Sequence, residues 1–129
     1  MNLNGQNIAT SETQAGGAAY GDLATPGPSV TLTLTGTTAI VWMSAQASHD
    51  AGNTGFISVE VSGASTVPAS DANAVLTASY SGAIYTLGLA RVLVLTGLTP
   101  GVNTFTLKYH NDGGAAWTFW YRSIAVYAP

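Results

Sequence analysis

The groups best suited to acid–base or nucleophilic chemistry in this sequence are two histidines, six carboxylates and many hydroxyls; it has no cysteine. A serine or threonine nucleophile needs a histidine base and an acid to orient that base. His49 stands beside Asp50, and His110 precedes Asn111 and Asp112. Both pairs fall at turn sequences, where a histidine next to an aspartate reads as a solvated loop residue. No Gly-x-Ser-x-Gly elbow presents a nucleophile. Glycoside hydrolysis requires two facing carboxylates, whereas the acids here are scattered singly. Glu60 alone lies in a clearly alternating strand, on its polar face.

Metal chemistry is no better served. Asp50-Ala51-Gly52-Asn53 and Asn111-Asp112-Gly113-Gly114 set oxygen ligands beside glycines, which a hard cation such as Ca²⁺ would use. Both are also hairpin-turn sequences, and neither follows the EF-hand pattern. No Gly-rich phosphate loop with its lysine is present. The expectation is a protein with no enzymatic activity, no cofactor and no resident metal.

The aromatic residues remain. Trp117, Phe119, Trp120 and Tyr121, with Tyr109 on the preceding strand, would stack sugar rings if exposed. Their alternation beside a hairpin favours core plus interface, where large rings contribute most area. Tyr20, Tyr80 and Tyr85 are candidates to decorate a loop face.

The elements that must position these residues follow a period of two. Val30, Leu32 and Leu34 alternate with Thr31, Thr33 and Thr35; Ile57, Val59 and Val61 with Phe56, Ser58 and Glu60; Phe105, Leu107 and Tyr109 with Thr104, Thr106 and Lys108. Each is a half-buried strand. Residues 39–47 and 89–95 are apolar on both faces, as if buried once by the sandwich and again by something else. On the first, Ile40 and Trp42 share one side while Val41, Met43 and Ala45 share the other. Unbroken alternation over 117–127 would place Trp117, Phe119 and Tyr121 together, opposite Trp120, Ile124 and Val126.

Gly, Pro, Asn and Asp punctuate these runs at the spacing of a sandwich or barrel. The fold class is all-β: a single-domain antiparallel β-sandwich of the jelly-roll type with about eight strands, an immunoglobulin-like sandwich being the alternative. The strands are expected near 18–24, 29–35, 38–47, 55–62, 74–80, 84–95 (with a break at Gly88), 102–109 and 117–127. Residues 68–73 suit one helical turn capped by Ser70 or Asp71. Residues 1–17, polar and Gly-rich, read as an N-terminal arm, and 18–129 as the sandwich domain.

Only 7% of the 129 residues are charged and the net charge is −3, against about 25% charged in ordinary soluble domains. Three basic side chains, Arg91, Lys108 and Arg122, offer no footprint for nucleic acid or an anionic membrane. No run approaches the length of a membrane-spanning helix, and the amino terminus lacks the regions of a signal peptide. So little surface charge points to packing against neighbours. The candidate interface residues are Val41, Met43, Val92, Val94, Trp117, Trp120 and Tyr121.

Four segments carry a resemblance: residues 20–31 (Tyr20-Gly21-Asp22 through Pro26-Gly27-Pro28 to Thr31), Ser62-Gly63-Ala64-Ser65 followed by Pro68-Ala69-Ser70-Asp71-Ala72, residues 95–109 around Thr99-Pro100-Gly101, and Arg122-Ser123-Ile124-Ala125-Val126. Together, in this order, they resemble the small β-domains of tailed-phage virion structural proteins over roughly residues 18–127. The resemblance implies a non-enzymatic virion protein, trimeric, assembled in the host cytoplasm and carried on the particle surface. Starting at its own Met1 with a short lead, the chain suits a head-decoration or auxiliary capsid subunit in contact with the major capsid protein or other virion proteins. A tail-fibre or minor-tail tip binding a host glycan, and a non-viral carbohydrate-binding or adhesive module, are the alternatives.

Overall fold

The alternating segments become ten antiparallel strands, arranged as two packed sheets in a computed structural model that describes residues 2–14, 17–49, 53–78, 85–113 and 116–129. In chain order these are β1 (Asn2–Ile8), β2 (Glu12–Gln14), β3 (Gly17–Gly21), β4 (Ser29–Leu34), β5 (Ala39–His49), β6 (Thr54–Gly63), β7 (Ala74–Ala78), β8 (Tyr85–Leu95), β9 (Gly101–Asn111) and β10 (Trp117–Ala128). One sheet has the order β1-β10-β5-β8, with β2 continuing β1 along β10; the other has β3-β9-β6-β7, with β4 beside β3 along β9. Because β1/β2 and β3/β4 are each an interrupted side strand, the ten segments occupy eight strand positions. These are not the eight expected, since the strands expected at 18–24 and 29–35 share one position and β1/β2 fills another that was read as an arm. Most successive strands alternate between sheets, and β6–β7 is the local hairpin. This is the jelly-roll pattern of interleaved Greek keys.

The interior is supplied by the apolar member of each alternation. Val30, Leu32 and Leu34 on β4, Phe105, Leu107 and Tyr109 on β9, and Ile57, Val59 and Val61 on β6 face Val41, Met43, Ala45 and Ala47 on β5 and Phe119, Ile124 and Val126 on β10. The hydroxyls of the opposite parity line the far face of the β9-containing sheet. There Thr31 and Thr104 hydroxyls bond at 2.8 Å, and Ser29 donates to Thr106 at 3.0 Å. Lys108 lies 2.8 Å from Asp22 and 3.8 Å from Glu60 on the same face.

Several expectations change. Within the stretch read as an arm, residues 2–8 pair with 122–128 in continuous register, and residues 12–14 with 117–119. Their backbone is sandwich, because polar side chains do not prevent an edge strand from forming a ladder. Gly88 does not interrupt β8, which pairs with β5 from Tyr85 to Leu95. The helical turn is a short 3-10 segment, Asp71–Asn73, after Ser70; no side chain caps it, and the Ser70 N–H donates instead to the Ser58 hydroxyl at 3.1 Å.

The largest correction concerns β10. Its register against β5 slips by one residue between Trp120 and Ser123, and Tyr121 has φ +47°, the single non-glycine residue with positive φ among those described. This β-bulge reverses the side-chain parity halfway along the strand. Trp117 and Phe119 therefore share the core face with Arg122, Ile124 and Val126, while Tyr121 is left outside.

Trp117 also explains a glycine. A Cβ on Gly55 would stand 2.8 Å from the indole, whose ring is buried and cannot retreat. Gly55→Ala is expected to lower stability by about 1–3 kcal/mol, read from urea denaturation. A neutral result would mean that Trp117 does not lie over this strand.

Candidate functional site

Among the described residues, His110, Asp71, Asn111 and Asp112 are occupied in holding the fold. His110 is buried near the end of β9, not solvated as its turn sequence suggests: its ring stacks on Phe56 (4.1 Å between centroids) and meets Tyr20 edge-on at 4.2 Å. Its Nε2 lies 2.9 Å from Asp71 Oδ1, which also accepts the Tyr20 hydroxyl at 2.7 Å. These two hydrogen bonds hold the Asp71 carboxyl below its ordinary range, against a small opposing effect of burial. Burial and the Asp71 contact push the Tyr20 hydroxyl upward. In the second turn, Asp112 accepts the Thr54 N–H at 2.6 Å and Asn111 Oδ1 accepts the Gly113 N–H at 3.1 Å, so these oxygens are turn-forming groups. Asp50, Ala51 and Gly52, Gly114 and Tyr80 lie outside the described residues, as do the side chains of His49 and Tyr85.

The most concentrated polar network is interior. Arg122, turned inward by the bulge, is fully buried and donates to Glu12 (2.6 Å), to the carbonyls of Gly27 (2.9 Å) and Thr25 (3.3 Å), and to the Tyr109 hydroxyl (3.3 Å). Tyr109 in turn donates to the Gly27 carbonyl at 2.9 Å, and Glu12 accepts the Thr25 N–H at 3.0 Å. Burial alone would raise the Glu12 carboxyl; the hydrogen bonds from Thr25 and the Arg122 charge outweigh it and hold the group low. Burial pushes the Tyr109 hydroxyl up to about 12, although Arg122 pulls the other way. The arrangement ties the 23–28 loop to both sheets. Sequence reading missed it because it depends on the parity reversal at Tyr121.

These shifts set the pH profile. Glu12 and Asp71 titrate lower when folded, so their contribution is full above about pH 4.5 and disappears as pH falls through the lowered folded values. Tyr109 titrates higher when folded, so its contribution is full below about pH 10 and is lost towards pH 12. Melting temperature is expected to be flat from about pH 5 to 9 and to fall on both sides. A plateau extending unchanged to pH 3 would show that the carboxylates do not hold the fold.

What the core leaves over is one sheet face. Reading across β1, β10, β5 and β8, the outward positions form rows: Leu3, Tyr127, Ile40, Val94; then Gly5, Ala125, Trp42, Val92; then Asn7, Ser123, Ser44, Ala90; then Trp120, Gln46, Gly88. None of these residues is charged. Val94 is 63% exposed, Val92 54% and Trp42 41%. The apolar end of the face thus passes, within two rows, into small and hydrogen-bonding groups.

Between them lies a furrow across the strands, about 620 Å³ in volume, with Trp42 and Val92 on one side and a floor of Ser123, Ser44 and Ala90. A second depression of about 330 Å³ adjoins it, shares Ser44 and Ala90, and ends at Tyr121, which is 59% exposed. Trp120 donates its Nε1–H to Gln46 Oε1 at 2.6 Å.

Of the seven sequence-derived interface candidates, Val92, Val94 and Tyr121 stand on this outer side and Trp120 is partly exposed there, whereas Val41, Met43 and Trp117 are buried in the core. Ile40 and Trp42 occupy the outward positions of β5. The signal for that was present: Ser44 and Gln46 share their parity, while Ala45 and Ala47 share that of Val41 and Met43.

No family model matches the chain, and no curated protein matches it. Among solved structures it is similar to one of infectious bursal disease virus, Gx strain, at 12% identity and TM-score 0.58; the alignment covers 97% of this chain and 31% of the viral one. It is also similar to the CBM36-1 domain of a multidomain xylanase from the hindgut metagenome of Trinervitermes trinervoides (14% identity, 99% and 98% of the two chains, TM-score 0.49) and to Eiger TNF from S. frugiperda (11%, 92% and 91%, 0.43). The viral likeness is one of fold. The other two carry no further argument.

Proposed function

We propose that this chain is a non-enzymatic structural subunit of a tailed-phage particle, a head-decoration or auxiliary capsid protein that works by protein–protein contact. The observation that carries this reading is the contiguous uncharged apolar row formed by Leu3, Tyr127, Ile40 and Val94 on one face of the sandwich. The opposite face bears Lys108, Glu60 and Asp22 beside a lawn of threonine hydroxyls. One face suits water and the other a partner. The first partner is another copy of the chain: such faces from three copies gather around one axis without charge repulsion, while the net charge of −3 stays on surfaces turned elsewhere. A trimer built this way presents its remaining surface to the major capsid protein. The likeness in fold to a virus structure and the four phage-like segments support the particle setting.

Copy number tests it. In a stained gel of purified virions the chain is expected as a band comparable with the major capsid protein. A few copies per particle would favour a tail tip, and absence from the particle would overturn the reading.

A further inference from the structure

We infer that the furrow between Trp42 and Tyr121 is a binding site for a neutral saccharide chain. Four observations converge. The joined depressions are about 620 and 330 Å³, the size range of small-ligand clefts. They run across β1, β10, β5 and β8 as an open trough, which admits a chain and not merely a single ring. An aromatic side chain flanks its row of Ser123, Ser44 and Ala90 on either side, Trp42 and Tyr121, both substantially exposed. The floor between them is short, with Ser44, Ser123 and Ala90, so a flat ring can approach the sheet closely.

The polar groups match the same ligand. Asn7, Ser44 and Ser123 carry hydroxyl or amide groups that both donate and accept. Gln46 spends its side-chain oxygen on Trp120, leaving its amide NH₂ to donate. A sugar ring presents an apolar C–H face to an aromatic and hydroxyls at its edge, and this lining answers both. No outward residue of the trough is charged; Arg91, which borders it, points to the other side of β8 and donates to the Ala74 carbonyl. That selects a neutral sugar over a sialylated or phosphorylated one. Tyr121 also keeps its positive φ at an exposed position, a backbone conformation usually retained where a side chain must be aimed.

The site is separate from the proposed contact between copies. That contact is centred on the row of Leu3, Tyr127, Ile40 and Val94, while the trough follows the row of Ser123, Ser44 and Ala90. The inference therefore does not rest on the virion reading.

The test uses the full chain with maltohexaose, cellohexaose and N-acetylchitohexaose as neutral probes and an oligogalacturonate as the anionic one. Binding is read by calorimetry and by tryptophan fluorescence. At least one neutral hexasaccharide is expected to bind, with Trp42→Ala and Tyr121→Ala each weakening it at least tenfold and the oligogalacturonate not binding. Ala90→Gln, at an exposed floor position, fills the trough without touching the core and is expected to abolish binding while the melting temperature holds. The inference is overturned if none of the neutral probes binds at millimolar concentration, or if binding survives Ala90→Gln. It is equally overturned if only a dissociated Val94→Lys form binds, since the trough would then lie inside the contact between copies. A monomeric unmodified chain that still binds saccharide would instead count against the assembly reading alone.

Discussion

Glu12→Ala is expected to lower the free energy of unfolding by about 3–5 kcal/mol, the largest single effect at a polar side chain in this protein. The substitution removes the carboxylate that lies 2.6 Å from Arg122 and leaves a guanidinium with no accessible surface. The gain of a buried pair over an apolar replacement is small, but the loss of one partner strands an uncompensated charge. The remaining acceptors, the carbonyls of Thr25 and Gly27 and the Tyr109 hydroxyl, are neutral. A paired change, Glu12→Leu with Arg122→Met, removes both charges and is expected to recover part of the loss. Urea denaturation of the single and double variants checks this. A single-variant loss below about 1 kcal/mol would place the pair in solvent.

Val94→Lys is expected to have the second large effect, on assembly rather than folding. Val94 is 63% exposed in the isolated chain, beside Ile40 on β5. An ammonium group there costs little in a monomer. In a trimer it must either leave water unpaired or face like charges from its copies, which weakens association by at least about 2 kcal/mol, well over tenfold in dissociation constant. Thr33→Lys, on the opposite, hydroxyl-covered face, is the control and is expected to leave association unchanged. Equal dissociation by the two variants would mean that the contact is not on the apolar face.

Most of the architecture was legible in the sequence because half-buried strands write their two faces directly as alternating apolar and hydroxyl residues. Val30–Thr35 and Phe105–Tyr109 show this, and their hydroxyls meet across the sheet as that alternation implies. Two things were not legible. The edge strands β1 and β2 have no apolar alternation, since Asn2–Ile8 is exposed along nearly its whole length and is held by backbone pairing to β10 and by polar side-chain contacts of Asn2 and Gln6 with β4. The bulge at Tyr121 has no marker residue either: positive φ is usually announced by Gly or Asn, and here it falls on tyrosine. That one unannounced residue moved Trp117 into the core and Tyr121 out of it, and it brought Arg122 against Glu12.

The outer face was half legible. Val92 and Val94 stand out because the leucines of β8 share the other parity. On β5 the bulkier pair, Ile40 and Trp42, faces outward, and only the serine and glutamine of the same parity mark the side. His110 was misread for a different reason: its cover comes from Tyr20 and Asp71, distant in sequence, and a turn sequence carries no trace of such cover.

The mass of the unmodified chain in solution at micromolar concentration bears most directly on whether the uncharged sheet face is an assembly surface. A species three times the 13.1 kDa chain mass, converted to monomer by Val94→Lys and not by Thr33→Lys, is the expected result. A monomer under these conditions, or a trimer indifferent to Val94→Lys, would contradict it.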